Sequence, residues 1–152
     1  MAAVTVTVVF TDLVASTELL SRVGEVAAEE LRREHFALLR AAVAESGGRE
    51  VKNLGDGLMV AFDGVGAALS CAVAMQQSIT SRPPSAEPLA IRVGISAGEA
   101  DEEDGDYFGL PVVEAARLCS SARAGEILCT DMVRMLARSR VGSTWSWWEH
   151  WS

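Results

Sequence analysis

The sequence predicts an α+β fold, a ferredoxin-like antiparallel sheet of order βαββαβ with helices on one face, followed by a C-terminal αβ extension. Three observations predict it. The chain opens on a β-branched run, VTVTVVF (4–10). A second apolar stretch, KNLGDGLMVAF (52–62), doubles back at a Gly-Asp-Gly turn. A third, LAIRVGISAGEA (89–100), alternates over a long strand, and helical patterns fill both gaps between the three.

The first run reads as a buried strand because β-branched side chains favour the pleated surface. It ends at Thr11-Asp12, and a helix begins near Ser16-Thr17, either of which can cap it. Gly24 breaks that helix. A second follows over about 26–46, with Leu31, Leu38, Leu39, Ala42 and Val43 on one face, and Gly47-Gly48 stops it. Strands at 49–53 and 58–62 flank the Gly-Asp-Gly turn. The Ala-rich stretch 66–78 reads as a helix packed closely on the sheet, and SRPPSAEP (81–88) as a loop. After the 89–100 strand, DEEDGD (101–106) is an acidic turn. A helix over 111–122 has Pro111 in its favoured first turn. EILCT (126–130) is a strand and DMVRMLAR (131–138) a short helix. We expect one domain over 1–138 and a Trp-rich edge strand or tail over 139–152, where GSTWSWWEHWS holds all four tryptophans.

Composition narrows the function. The formal charge of −8 opposes nucleic-acid binding, which needs a basic stripe. An acidic protein can still bind a nucleotide if divalent metal neutralises the phosphates. No apolar run approaches the roughly 18 residues of a membrane span, so no membrane insertion is expected. Cys71, Cys119 and Cys129 are widely spaced without a CxxC, and only two histidines accompany them. That speaks against a disulfide framework or zinc cluster and for a reducing, cytoplasmic setting.

Asp56 between two glycines is on its own a strong hairpin signal. Asp12 lies where a very apolar strand meets a helix start, a place where functional groups gather. If the 4–10 strand lies beside the hairpin, both aspartates emerge at one edge of the sheet and repel each other unless a cation joins them. Hard oxygen ligands without His or Cys suit Mg²⁺ or Mn²⁺, which work with substrate phosphates. Ala15, Ser16 and Thr17 would offer backbone N–H groups at a helix start, an anion site.

Four blocks, VVFTDLVAST, KNLGDGLMVAF, IRVGISAGEA and DGDYFGLPVVEAARL, in this order and spacing, resemble the class III nucleotidyl cyclase catalytic domain. The resemblance covers roughly residues 4–130 and is closest to the bacterial adenylate cyclase branch. It implies a head-to-tail homodimer with two active sites at its interface and two Mg²⁺ or Mn²⁺ ions in each. Asp12 and Asp56 match the metal-binding aspartates, with the backbone carbonyl of Leu13 a further ligand. Lys52 and Asp106 match the pair that selects the base, and Arg117 the arginine that stabilises transition-state charge. The two residues of one hairpin would then serve different sites, Asp56 with its own Asp12 and Lys52 in the site the partner completes.

An acceptor at Asp106 and a donor at Lys52 suit the N6 amino group and N1 of adenine, so ATP is the expected substrate and cyclic AMP the product. Two departures stand out. Val113 occupies the position of a ribose-orienting asparagine, and Glu99 stands where a phosphate-binding arginine is expected. They favour an alternative, a degenerate cyclase domain that binds nucleotide or dimerises and regulates. A diguanylate cyclase is disfavoured by the absence of a GG[DE]EF run, and a plain interaction module requires both aspartates to be mere turn residues. The pattern starts almost at residue 4, so no N-terminal regulatory domain is expected.

Overall fold

The computed structural model describes residues 2–141, with side chains through 137. Six strands form one sheet of order β2-β3-β1-β4-β5, with β6 also on β4. Strand β1 (Ala2–Leu13) is central, antiparallel to β3 (Leu58–Phe62) on one side and to β4 (Ile91–Glu103) on the other. Its residues from Val6 to Thr11 are all buried, the signature of a strand covered on both faces.

Odd-numbered Val9 and Leu13 join Leu58, Val60, Phe62, Ile91, Val93 and Ile95 in the larger core. That core is closed by α2 (Glu25–Ser46) and α3 (Val65–Thr80), with α1 (Ser16–Val23) contributing Leu19. These are the helices of the βαββαβ frame, and they share one face as expected. The extension contributes the cover of the other face. There Val6, Val8, Phe10, Met59 and Ala61 meet Ala115 and Cys119 of α4 (Leu110–Ser121) and Tyr107 of β5 (Asp106–Phe108). Helix α4 can approach this closely because residue 94 is glycine. A Cβ there would sit 2.3 Å from the Ala115 carbonyl oxygen and the Cys119 nitrogen.

Three boundaries differ from the sequence reading. Strand β1 runs through Asp12 to Leu13, because its pairing with β4 continues to Leu13↔Ile91. Strand β4 extends through the acidic stretch to Glu103 and pairs with β5, an additional strand in what reads as a turn and loop. Backbone pairing overrides the unfavourable composition of those residues. Strand β6 (Ile127–Cys129) runs parallel to β4, and α5 (Asp131–Val141) continues past the expected end at residue 138. The Trp-rich segment from 142 onward lies outside the described residues. Among the described residues no helix is long and apolar enough to cross a membrane.

Candidate active site

The hairpin between β2 (Arg49–Asn53) and β3 is clasped to the end of β1 by backbone. The Leu13 N–H donates to the Asp56 carbonyl at 2.8 Å, and the Leu58 N–H to the Thr11 hydroxyl at 2.9 Å. Glycine at 57 permits this approach, since a Cβ there would lie 1.8 Å from the Thr11 carbonyl oxygen. Asp56 is thereby carried to the edge where Asp12 emerges. Both carboxylates line a cleft of ≈ 280 Å³ with Phe10, Leu54, Ala116 and Ser120. Gly57→Ala should push the hairpin off β1 at a cost of about 3 kcal/mol. A thermal melt should show a fall on the order of 10 °C for a domain of this size.

Each carboxylate has a guanidinium from its own chain. Arg92, the cross-strand partner of Asp12, places Nη2 at 2.7 Å and Nε at 2.9 Å from Asp12 Oδ2. Its Nη1 donates to the Ser120 carbonyl at 2.9 Å. Asp56 accepts from the Ser16 hydroxyl at 2.8 Å, and Arg32 Nε stands 3.5 Å from its other oxygen. Among the described residues no cluster of three His, Cys, Asp or Glu forms. Two carboxylates on one cleft nonetheless fit Mg²⁺ or Mn²⁺, which commonly take one or two protein carboxylates and fill their octahedra with water and phosphate oxygens. Below the cleft, His35 is fully buried, with Nδ1 3.3 Å from the Arg32 carbonyl and no partner for Nε2. Burial pushes its pKa below the ordinary imidazole value, outweighing the Arg32 carbonyl and the Asp56 carboxylate, which act the other way.

That burial has a pH signature. The unfolded chain takes up a proton that folded His35 refuses, so stability is full above about pH 6.5 and falls as the pH drops below it. Urea unfolding should show stability falling as the pH drops below about 6.5, with a slope of up to about 1.4 kcal/mol per pH unit. His35→Leu should remove it.

Lys52 and Asp106 meet elsewhere, at 2.9 Å between Nζ and Oδ2. The Asp106 carboxyl also accepts from the Tyr107 N–H at 2.8 Å. The Lys52 ammonium, with help from that N–H, holds the Asp106 carboxyl below the usual carboxylate range. Neither residue lines the cleft of Asp12 and Asp56. Arg117 is exposed on α4 and makes no hydrogen bond or ion pair among the described residues. The structure therefore brings the expected residues together as two pairs, Asp12 with Asp56 on the cleft and Lys52 with Asp106 outside its lining, and Arg117 remains unpaired on α4 among the described residues.

Residues 2–145 match the family described as the adenylate and guanylate cyclase catalytic domain. The chain belongs to this family. An adenylate cyclase of Streptomyces coelicolor is 35% identical over 132 residues, covering 86% of this chain and 34% of that protein. A serine/threonine-protein kinase of Myxococcus xanthus is 34% identical over 91% of this chain and 17% of its own length. The chain thus spans about a third or less of these two relatives. Among solved structures, the adenylate/guanylate cyclase/hydrolase from Silicibacter pomeroyi is 33% identical with a TM-score of 0.78, covering 93% of this chain and 83% of the other. The adenylyl cyclase CyaB from P. aeruginosa is 27% identical with a TM-score of 0.79, covering 92% and 84%.

Within this cyclase domain the sequence reading missed two guanidinium groups. The arginine expected at position 99 is absent, and the guanidinium nearest Asp12 is that of Arg92. Glu99 borders a different cavity with Glu114 and Asp131, whereas Arg92 faces Asp12 across the β1–β4 pair. Strand alternation carried the signal, because Arg92 shares a face with Asp12 once the register is known. Arg32 had no comparable signal, being one of several charged residues on a long helix. Val113 is exposed, and Glu114 is occupied by the Ser96 hydroxyl at 2.9 Å. Ala15 is the N-cap of α1, in a left-handed conformation at φ 56° and without a side-chain oxygen to cap the helix, while the Ser16 hydroxyl is bonded to Asp56. Burial pushes the Cys119 thiol at the cleft wall up to about 12, as suits an inert cysteine.

Proposed function

We propose that this domain is an adenylate cyclase, converting ATP to 3′,5′-cyclic AMP and pyrophosphate in a head-to-tail homodimer. One observation carries the reading. Asp12 and Asp56 line a cleft that Lys52, Asp106 and Arg117 do not line, which supports a site completed by a second chain. Exposed Phe108, Leu110 and Val113, on β5 and α4, supply apolar surface of the kind an interface covers.

In this reading Asp12, Asp56 and the Leu13 carbonyl hold the metals. Bound Mg²⁺ or Mn²⁺ would lower the proton affinity of the ribose 3′-hydroxyl and neutralise the triphosphate. The N–H groups of Ala15, Ser16 and Thr17 face phosphate oxygens. From the partner chain, Asp106 accepts from the adenine N6 amino group and Lys52 donates to N1. Guanine offers the opposite order and leaves buried groups unpaired. Arg117 meets the negative charge that builds on the α-phosphate as the 3′-oxygen attacks in line and pyrophosphate leaves. The chemistry requires no compartment beyond one that supplies ATP, and we assign the domain to the cytoplasm.

The test is cyclic nucleotide formation from ATP and from GTP, with Mn²⁺ and then Mg²⁺, beside Asp12→Ala. Cyclic AMP from ATP, lost in the variant, is the expected result. A second reading, a degenerate domain that binds nucleotide and regulates, is favoured by Val113 and by the engagement of Glu114 with Ser96. Restoring a donor with Val113→Asn should raise the rate by about a hundredfold if catalysis is the function. Absence of product from both forms supports the regulatory reading.

A further inference from the structure

Arg32 is not used by the mechanism above, yet its guanidinium is directed at one of the two cleft carboxylates. It projects from the second turn of α2, with its Nη1 2.7 Å from Glu29 Oε2, one helical turn back. Its Nε is buried and forms no hydrogen bond, although Asp56 Oδ1 lies only 3.5 Å away. The contact is therefore close enough for strong attraction but is not closed as a hydrogen bond. The opposite oxygen of Asp56 is tied to Ser16, so the carboxylate sits between a hydroxyl and a guanidinium.

We propose that Arg32 is a positioning residue for the metal centre: the resident counter-ion of Asp56, seating that carboxylate in the metal-free chain and holding its intrinsic affinity for a divalent cation low. The proposal rests on the cyclase reading of Asp12 and Asp56 as metal ligands. Its physical basis is Coulombic. A fixed positive charge beside a carboxylate opposes a second cation at the same oxygen, and does so more strongly where water is partly excluded. Glu29 makes the arrangement workable, because Arg32 keeps a carboxylate partner when Asp56 takes a metal. Asp12 is counter-charged in the same way by Arg92, with a hydrogen-bonded rather than an open contact. With both carboxylates already neutralised, metal alone binds weakly. Metal arriving with a polyphosphate binds well, since the phosphate oxygens add the negative charge that the site lacks. Metal occupancy is thereby coupled to nucleotide occupancy.

The experiment measures Mn²⁺ binding without nucleotide, following the electron paramagnetic resonance signal of free Mn²⁺ as the full chain is titrated. Arg32→Met removes the charge and keeps much of the bulk. It should bind Mn²⁺ about tenfold more tightly than the wild type or better, a gain of about 1.4 kcal/mol. Arg32→Lys keeps the charge and should stay close to the wild type. Arg33→Met, the same charge change at the exposed neighbouring position, should also stay close to it. A circular dichroism melt on each variant identifies any that fails to fold, and Arg32→Gln replaces Arg32→Met in that event. Unchanged or weaker Mn²⁺ binding in the charge-removing variant overturns the proposal. Absence of saturable binding in the wild type and in Arg32→Met alike overturns the metal reading and the proposal with it.

Discussion

Asp12→Ala and Arg117→Ala, each inactive when assayed alone, should recover cyclase activity when mixed. In the proposed head-to-tail dimer every site would take its carboxylates from one chain and its Arg117 from the other. A heterodimer of the two variants therefore has one site that lacks both groups and one that lacks neither. With random exchange, half of the dimers are mixed and each carries one intact site, so about a quarter of wild-type activity should return. Each parent should fall by about a thousandfold, from loss of metal in one and of transition-state charge stabilisation in the other. The measurement is cyclic AMP formation against mixing ratio, with a maximum near equal amounts. Recovery is expected because the Asp12–Asp56 cleft contains neither Lys52 nor Asp106. A flat, inactive curve with dimers present would mean that a site is completed within one chain, or that the domain does no such chemistry.

If Lys52 and Asp106 read the base as proposed, exchanging them should reverse substrate preference. Lys52 and Asp106 face each other at 2.9 Å, so Lys52→Glu with Asp106→Lys keeps an ion pair in place while reversing donor and acceptor. The exchanged pair presents an acceptor where adenine offers one, and a donor where adenine offers its amino group. Guanine, with an O6 acceptor and an N1–H donor, then finds matched partners. Sites built around hydrogen bonds reject analogues that leave buried groups unpaired by factors of about 10⁴. With imperfect geometry in the variant, the ratio of kcat/KM for GTP to that for ATP should still rise by about a hundredfold or more. Either single substitution places like charges face to face and should depress both substrates. If the double variant loses ATP turnover without gaining any on GTP, the pair supports the hairpins rather than reading the base.

The two pairs differ in how they arise from the chain. Asp12 and Asp56 are legible from the residues around them, because each occupies a local context with a physical meaning: the end of a β-branched strand and a turn between two glycines. Their convergence follows from one further inference, that β1 lies beside the hairpin, and the register Phe10↔Met59 bears that out. Lys52 and Asp106 are legible only through the family resemblance. Their meeting depends on β5, a strand whose sequence reads as the end of an acidic turn, and on pairing with β4 that continues through Glu103. Arg49 on β2 donates to the Tyr107 hydroxyl at 3.0 Å and helps keep that hairpin against the sheet.

By itself, then, the sequence determined every element type except β5, the βαββαβ order and the carboxylates at the cleft, because these depend on hydrophobic period, turn residues and caps within a few positions. Tertiary structure alone decided that α4 covers the second face, which required a glycine at 94 and close approach of two backbones. It also decided which cations attend which carboxylates. Arg92 reaches Asp12 through strand register, and Arg32 reaches Asp56 through the docking of α2, over separations of 80 and 24 residues that no local pattern spans. Charge partners are chosen by distance in space, and a charged residue on a long helix carries no sequence mark of the one it will meet.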